Sequence, residues 1–146
     1  MIYCAYGSNL NIGQMKMRCP DAEILGTGLV FGYRLTFKGS RYNAHADIVR
    51  SRSKQGVPVV LWDISPSDER NLDRYEGYPY YYTKKIITAH VSDGYSLEAM
   101  VYVMTPGKQK GIPSENYLRI ITEGYEENGL DIRYLKKCLE QSDTTV

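Results

Sequence analysis

Apolar and polar positions alternate from the second residue, where "IYCAY" reads as a strand from about Ile2 to Tyr6 able to bury every other side chain. The alternation breaks into Gly7-Ser8-Asn9, three residues that favour turns. A short helix follows from about Asn11 to Cys19 and is halted by Pro20. Gly26, Gly28 and Gly32 punctuate the next region, and a strand is predicted around Tyr33–Lys38. "ADIVRS" and "VPVVLWDI" read as two further strands joined by the polar turn "RSKQG". In "SPSDERNLDRYEGYP" the punctuation is that of a helix: Ser65 can cap it, Pro66 suits its first position and Asp68 suits its positive end. Gly77 marks its close, with Pro79 beyond. Two β segments, about Tyr80–Ser92 and Tyr95–Met104, flank Asp93-Gly94, a strong hairpin signal. A third helix is predicted from near Ser114 to near Gly129. A fourth runs from Asp131 to Gln141, with Ile132, Leu135 and Leu139 on one face. Mostly antiparallel strands with segregated helices imply one α+β domain whose sheet can curl into a barrel.

Composition narrows the function more than the fold. The 146 residues suffice for a core without a metal or disulfide staple. With 18 basic and 17 acidic residues the formal charge is +1, so nothing draws the chain as a whole towards nucleic acid or anionic membranes. Arg50, Arg52 and Lys54 form a local basic cluster that could suggest phosphate binding, but without interleaved aromatics it reads as a solvated hairpin tip. Cys4, Cys19 and Cys138 are odd in number and far apart, as suits reduced thiols. No long apolar span or secretory leader pattern is visible, and a soluble, cytoplasmic protein is expected.

Several catalytic motifs are absent: GxSxG, a P-loop, a dinucleotide fingerprint, and CxxC or paired histidines for zinc. His45 in "YNAHAD" admits two readings, a proton shuttle or a structurally bonded ring. The YGSN stretch also has two: an ordinary turn, or a loop whose backbone N–H groups face a ligand. Glu76 is harder to dismiss. It occupies the last turn of a predicted helix, where the macrodipole disfavours a negative charge. Desolvation by Tyr75, Tyr78 and the tyrosine run after them would raise its pKa further, as a general base near neutral pH requires. Tyrosine occurs 14 times against two Phe and one Trp, which suits either a wet-rimmed core or an aromatic polar pocket. Tyr117, Ile121 and Tyr125 share a helical stripe that could simply face the core.

"YCAYGSNL", "VPVVLWDISPSDERNLDRYEGYPYYYTKK" and "PSENYLRIITEGYEENGL", in that order, resemble the three signature regions of the gamma-glutamylcyclotransferase (AIG2-like) family. The resemblance implies a small mixed, largely antiparallel β-barrel with flanking helices. It implies release of 5-oxoproline from a γ-glutamyl amide by attack of the substrate's own α-amine, freeing an amine or amino acid, with no metal or organic cofactor. By position, Glu76 would be the acid/base residue. Tyr6, Gly7, Ser8, Asn9 and Leu10 would hold the γ-glutamyl head through backbone amides, and Tyr82 and Tyr117 would contact substrate. Family members often carry Arg directly after the tyrosine matched by Tyr82, whereas Thr83 and Lys84 follow here. The expected partner is a small γ-glutamyl substrate, with neither nucleic acid nor membrane, and a homodimer is left open. Two other outcomes stand beside this one: removal of a γ-glutamyl group from a biosynthetic amine intermediate, and a binding module that has lost turnover.

Overall fold

The structure is a computed structural model that describes residues 1–144. Its strands are β1 (Ile2–Ala5), β2 (Glu23–Val30), β3 (Tyr33–Lys38), β4 (His45–Arg50), β5 (Val57–Asp63), β6 (Tyr82–Val91) and β7 (Ser96–Met104). Its helices are α1 (Ile12–Arg18), α2 (Pro66–Glu76), α3 (Glu115–Glu127) and α4 (Ile132–Thr144), and a single 3-10 turn spans Ser8–Leu10. Five strands close a barrel in the order β1-β5-β2-β6-β7. Closure is by the parallel bridge of Tyr3 to Met100, so the barrel is mixed, while its other pairings are antiparallel. β3 and β4 pair with each other as a separate antiparallel ribbon, and Lys38 of β3 also bridges Lys110.

β5 shows why the barrel holds. It pairs with β1 on one side and β2 on the other, and six of its seven residues are buried. A strand covered on both faces reads as an unbroken apolar run, as "VPVVLW" does. Its side chains join one contiguous core with Leu35 and Phe37 of β3, Leu72 of α2, Ile121 and Tyr125 of α3, and Leu135 of α4.

α2 is built as its sequence indicates. Ser65 Oγ accepts from the Asp68 N–H at 3.1 Å, and Asp68 Oδ2 accepts from the Ser65 N–H at 3.2 Å, a reciprocal cap. Gly77 ends the helix in the left-handed conformation, φ 67°. The turn at Gly94 joins β6 and β7 in continuous register, from Tyr82 opposite Met104 to His90 opposite Ser96.

Two expectations change. The region punctuated by glycines is a barrel strand, β2, in which a register shift falls between Ile24 and Gly26. At Gly28 a Cβ would lie 2.5 Å from the His90 carbonyl oxygen of β6, so the glycine marks close strand approach. β4 and β5 do not form a hairpin: β4 pairs with β3, β5 belongs to the barrel, and the basic segment between them is a crossing loop. Among the described residues no helix is long and apolar enough to cross a membrane.

Candidate active site

Where β1 ends, the chain turns through Tyr6 and Gly7 into the 3-10 turn, and this loop is fastened from several directions. Asn9 Nδ2 donates to Tyr3 Oη at 2.9 Å, Asn9 Oδ1 accepts from Arg18 Nη1 at 2.6 Å, and the Asn9 carbonyl accepts from Trp62 Nε1 at 3.1 Å. The Asn9 side chain is therefore spent on holding the loop. Leu10 lies outside the cavity described below. It is fully buried against α3, and its N–H donates to the Gly7 carbonyl at 3.0 Å, so the expected head-binding amide at Leu10 is already occupied. The N–H groups of Gly7, Ser8 and Asn9 have no acceptor among the described residues. A group of buried amides without internal partners needs acceptors from elsewhere.

These amides border a cavity of about 400 Å³. Glu76, the last residue of α2, lines it together with Tyr6, Gly7, Ser8, Asn9, Tyr82 and Tyr117. Seven of the eight residues assigned from the sequence are thus gathered around one cavity, and Leu10 braces it from behind. Glu76 is half-buried, and its carboxylate has no hydrogen bond or ion pair among the described residues. Desolvation raises its pKa from 4.5 to about 7, against an opposing pull from the positive charge of Arg18. The aromatic walls that desolvate it are only partly those expected. Tyr75 lines the cavity, but Tyr78 turns away, with Lys84 Nζ 4.2 Å from its ring centroid.

Around Glu76 the phenols are ordered by the backbone. Tyr82 Oη donates to the Ala46 carbonyl at 2.7 Å, while Tyr117 Oη accepts from the Ala46 N–H at 2.9 Å. One peptide residue is clamped between two tyrosines from different elements. Tyr6 Oη donates to the Tyr102 carbonyl at 2.7 Å, and Tyr102 Oη donates to Asp73 Oδ1 at 2.6 Å. Burial raises the pKa of each of these four phenols, and the neighbouring Glu76 charge adds to the effect. They stay protonated and act as fixed hydrogen-bond groups. Tyr117 differs from the other three, because the proton on its hydroxyl has no protein acceptor among the described residues. It can donate into the cavity. Tyr117→Phe should expose both roles: the Ala46 N–H loses its acceptor, which costs about 1–2 kcal/mol. Urea denaturation of the variant measures that loss.

The register of the tyrosine run is also fixed. Tyr80 is 87% exposed, Tyr81 stands at the rim, and Tyr82 is buried in the wall. Lys84 bridges Glu69 at 2.7 Å and Asp73 at 2.9 Å. It ties α2 to β6, and so holds the helix that carries Glu76. His45 lies in the cavity wall, edge-on to Tyr117 at 4.8 Å between ring centroids, and burial lowers its pKa. A neutral imidazole follows at neutral pH.

Sequence reasoning missed Arg18. Its guanidinium donates to Asn9 and to Gln14 Oε1 (2.5 Å) and stacks 3.6 Å from the Tyr75 ring centroid. It thereby joins the YGSN loop to the end of α2. The available signal was its place in the helix that follows the loop, with Gln14 one turn earlier.

The sequence model of the AIG2-like family matches residues 56–138, a span holding Glu76, Tyr82 and Tyr117. The chain belongs to the AIG2-like family. Human gamma-glutamylcyclotransferase is 29% identical to this AIG2-like chain over 153 aligned residues, covering 99% of this chain and 81% of the relative. The bovine gamma-glutamylcyclotransferase is 29% identical over 143 residues, covering 93% and 76%. A solved structure of a gamma-glutamyl cyclotransferase superposes with a TM-score of 0.85 at 27% identity, over 94% of this chain and 85% of that one.

Proposed function

We propose that the chain is a cyclotransferase that cleaves a γ-glutamyl amide, releasing 5-oxoproline and the amine or amino acid beyond it. One observation carries the reading: a glutamate with a pKa raised to about 7 faces a cavity bordered by unpartnered loop amides. The similarity to gamma-glutamylcyclotransferases supports it.

The substrate carries its own nucleophile and electrophile. Its α-ammonium must lose a proton before attack, and ionised Glu76 can accept it. The amine then attacks the γ-carbonyl carbon, forming the ring C–N bond and an oxyanion. When the oxyanion collapses, the original amide C–N bond breaks, and the departing nitrogen takes a proton from Glu76. Over the whole reaction the α-nitrogen gives up two protons and the leaving nitrogen gains two, so one carboxyl that cycles between its forms is sufficient. A pKa near 7 suits both directions of transfer. The amides of Gly7, Ser8 and Asn9 are suited to the substrate's anionic atoms, and the Tyr117 hydroxyl to a substrate acceptor. Confinement among the tyrosines favours the folded conformer in which the amine meets the carbonyl.

Incubation with a panel of γ-glutamyl amino acids and γ-glutamyl amines, with 5-oxoproline measured by mass spectrometry, tests the proposal. Release from at least one member is expected, and none from the panel would refute it. Arg18 supplies a second prediction. Its charge lowers the Glu76 pKa, so Arg18→Gln should shift the acidic limb of the pH–rate profile to higher pH. Arg18→Lys, which keeps the charge, should shift it less.

A further inference from the structure

A second cavity, of about 360 Å³, shares no lining residue with the first. Arg34 of β3, Lys110 of the β7–α3 connection and Lys137 of α4 converge on it, with Ser51 and Ser53 of the crossing loop. No Asp or Glu lines it among the described residues. The Arg34 guanidinium and the Lys110 ammonium have no ion pair or hydrogen bond among the described residues, and Lys137 Nζ donates to Gln55 Oε1 at 3.1 Å. The serine oxygens already accept from the backbone: Ser51 Oγ from the Ser53 N–H at 3.1 Å, and Ser53 Oγ from the Gln55 N–H at 3.2 Å. That leaves the hydroxyl hydrogens as donors.

The walls are fixed by bonds that do not involve the cations. The Ser51 N–H donates to the Gly32 carbonyl at 3.0 Å and anchors the loop to the start of β3. The Leu35 N–H donates to Tyr134 Oη at 3.0 Å and anchors α4. The Gly111 N–H donates to the Phe37 carbonyl at 3.1 Å and anchors the segment bearing Lys110. Three cations around one concavity, with hydroxyl donors and no carboxylate among the described residues, set up a local positive potential that favours an anion.

We infer that this second cavity binds a small phosphorylated molecule, its phosphate groups held by Arg34, Lys110, Lys137 and the two serine hydroxyls. Arg and Lys with hydroxyls form a charge-assisted donor set suited to phosphate oxygens. The volume is near the lower end of the roughly 300–1,000 Å³ typical of small-molecule sites, which favours a compact ligand. The chain as a whole is nearly neutral, so any such affinity must be local to this cavity. The crossing loop contributes Ser51, Ser53 and Gln55 to the cavity, while its basic residues Arg50, Arg52 and Lys54 do not line it.

The test is calorimetric titration of the full chain with inorganic pyrophosphate, with citrate as a second polyanion. Saturable pyrophosphate binding is expected, weakening as salt is raised. Arg34→Gln together with Lys137→Gln should weaken it at least tenfold while 5-oxoproline release stays unchanged. Lys110→Gln with Lys137→Gln alters two exposed side chains only, and provides the same reading should the Arg34 variant fold poorly. No saturable binding, wild-type affinity in both double variants, or displacement of pyrophosphate by a γ-glutamyl substrate would overturn the inference. Citrate binding more tightly than pyrophosphate would overturn the phosphate assignment.

Discussion

Glu76→Gln should abolish most turnover while leaving the protein folded. Glutamine keeps the size of the side chain but can neither take the proton from the α-ammonium nor return one to the leaving nitrogen. General acid–base catalysis is worth about 10²–10⁴-fold, and a group serving in both steps belongs at the upper end. The loss should fall on kcat, with KM for the γ-glutamyl substrate near its original value. Stability gives an independent readout. The folded-state pKa of Glu76 is raised above the ordinary 4.5, to about 7. Its contribution to stability is therefore fully present below about pH 4.5 and is lost as pH rises through about 7. Above that range the wild type buries an unpaired charge and the variant does not. Glu76→Gln should then be at least as resistant to urea as the wild type at alkaline pH. Near-normal 5-oxoproline release by this variant would place the base elsewhere.

Gly124→Ala should damage the site from a distance. A Cβ at this position of α3 would lie 2.7 Å from Leu10 Cβ, 2.8 Å from the Leu10 carbonyl carbon and 2.9 Å from the Asn11 nitrogen. Two of these are backbone atoms, so no side-chain rotation relieves the overlap, and α3 must separate from the YGSN loop. Overpacking of this kind costs about 1–3 kcal/mol, and the backbone contacts argue for the top of that range. For a chain of this size each kcal/mol lowers Tm by roughly 2–4 °C. Because α3 carries Tyr117 and the loop carries Gly7, Ser8 and Asn9, KM should rise as well. Thermal denaturation beside Michaelis kinetics checks both, and an unchanged Tm would show that the contact can relax without loss.

Elements governed by local chemistry were legible in the sequence. Ser65, Pro66, Asp68 and Gly77 encode the bounds of α2 through capping and a left-handed terminus, with no help from the rest of the chain. Asp93-Gly94 likewise specifies its hairpin. The environment of Glu76 was readable because its helix position and aromatic neighbours act on the same charge. What escaped depended on partners distant in sequence. β2 was hidden because the glycines that let β6 approach, and that bend the strand at its register shift, are also the residues that mark loops. Adjacent strands β4 and β5 resembled a hairpin, yet β5 is drawn into the barrel by β1 and β2. Arg18 carries no motif of its own; its importance comes from Asn9 and Tyr75, which tertiary folding brings to either side of it. Leu10 matched the family by position, but its amide and side chain belong to the turn and the core.

The most direct test of the account is the pH dependence of kcat/KM for 5-oxoproline release by the unmodified protein, using the best substrate of the panel. This ratio reports the ionisation of the free enzyme and free substrate. A rising limb with an apparent pKa of about 7 is expected, set by desolvated Glu76 and distinct from the higher limb of the substrate's ammonium. A rate that does not change through neutrality, or a limb at the ordinary carboxylate value of 4.5, would contradict it.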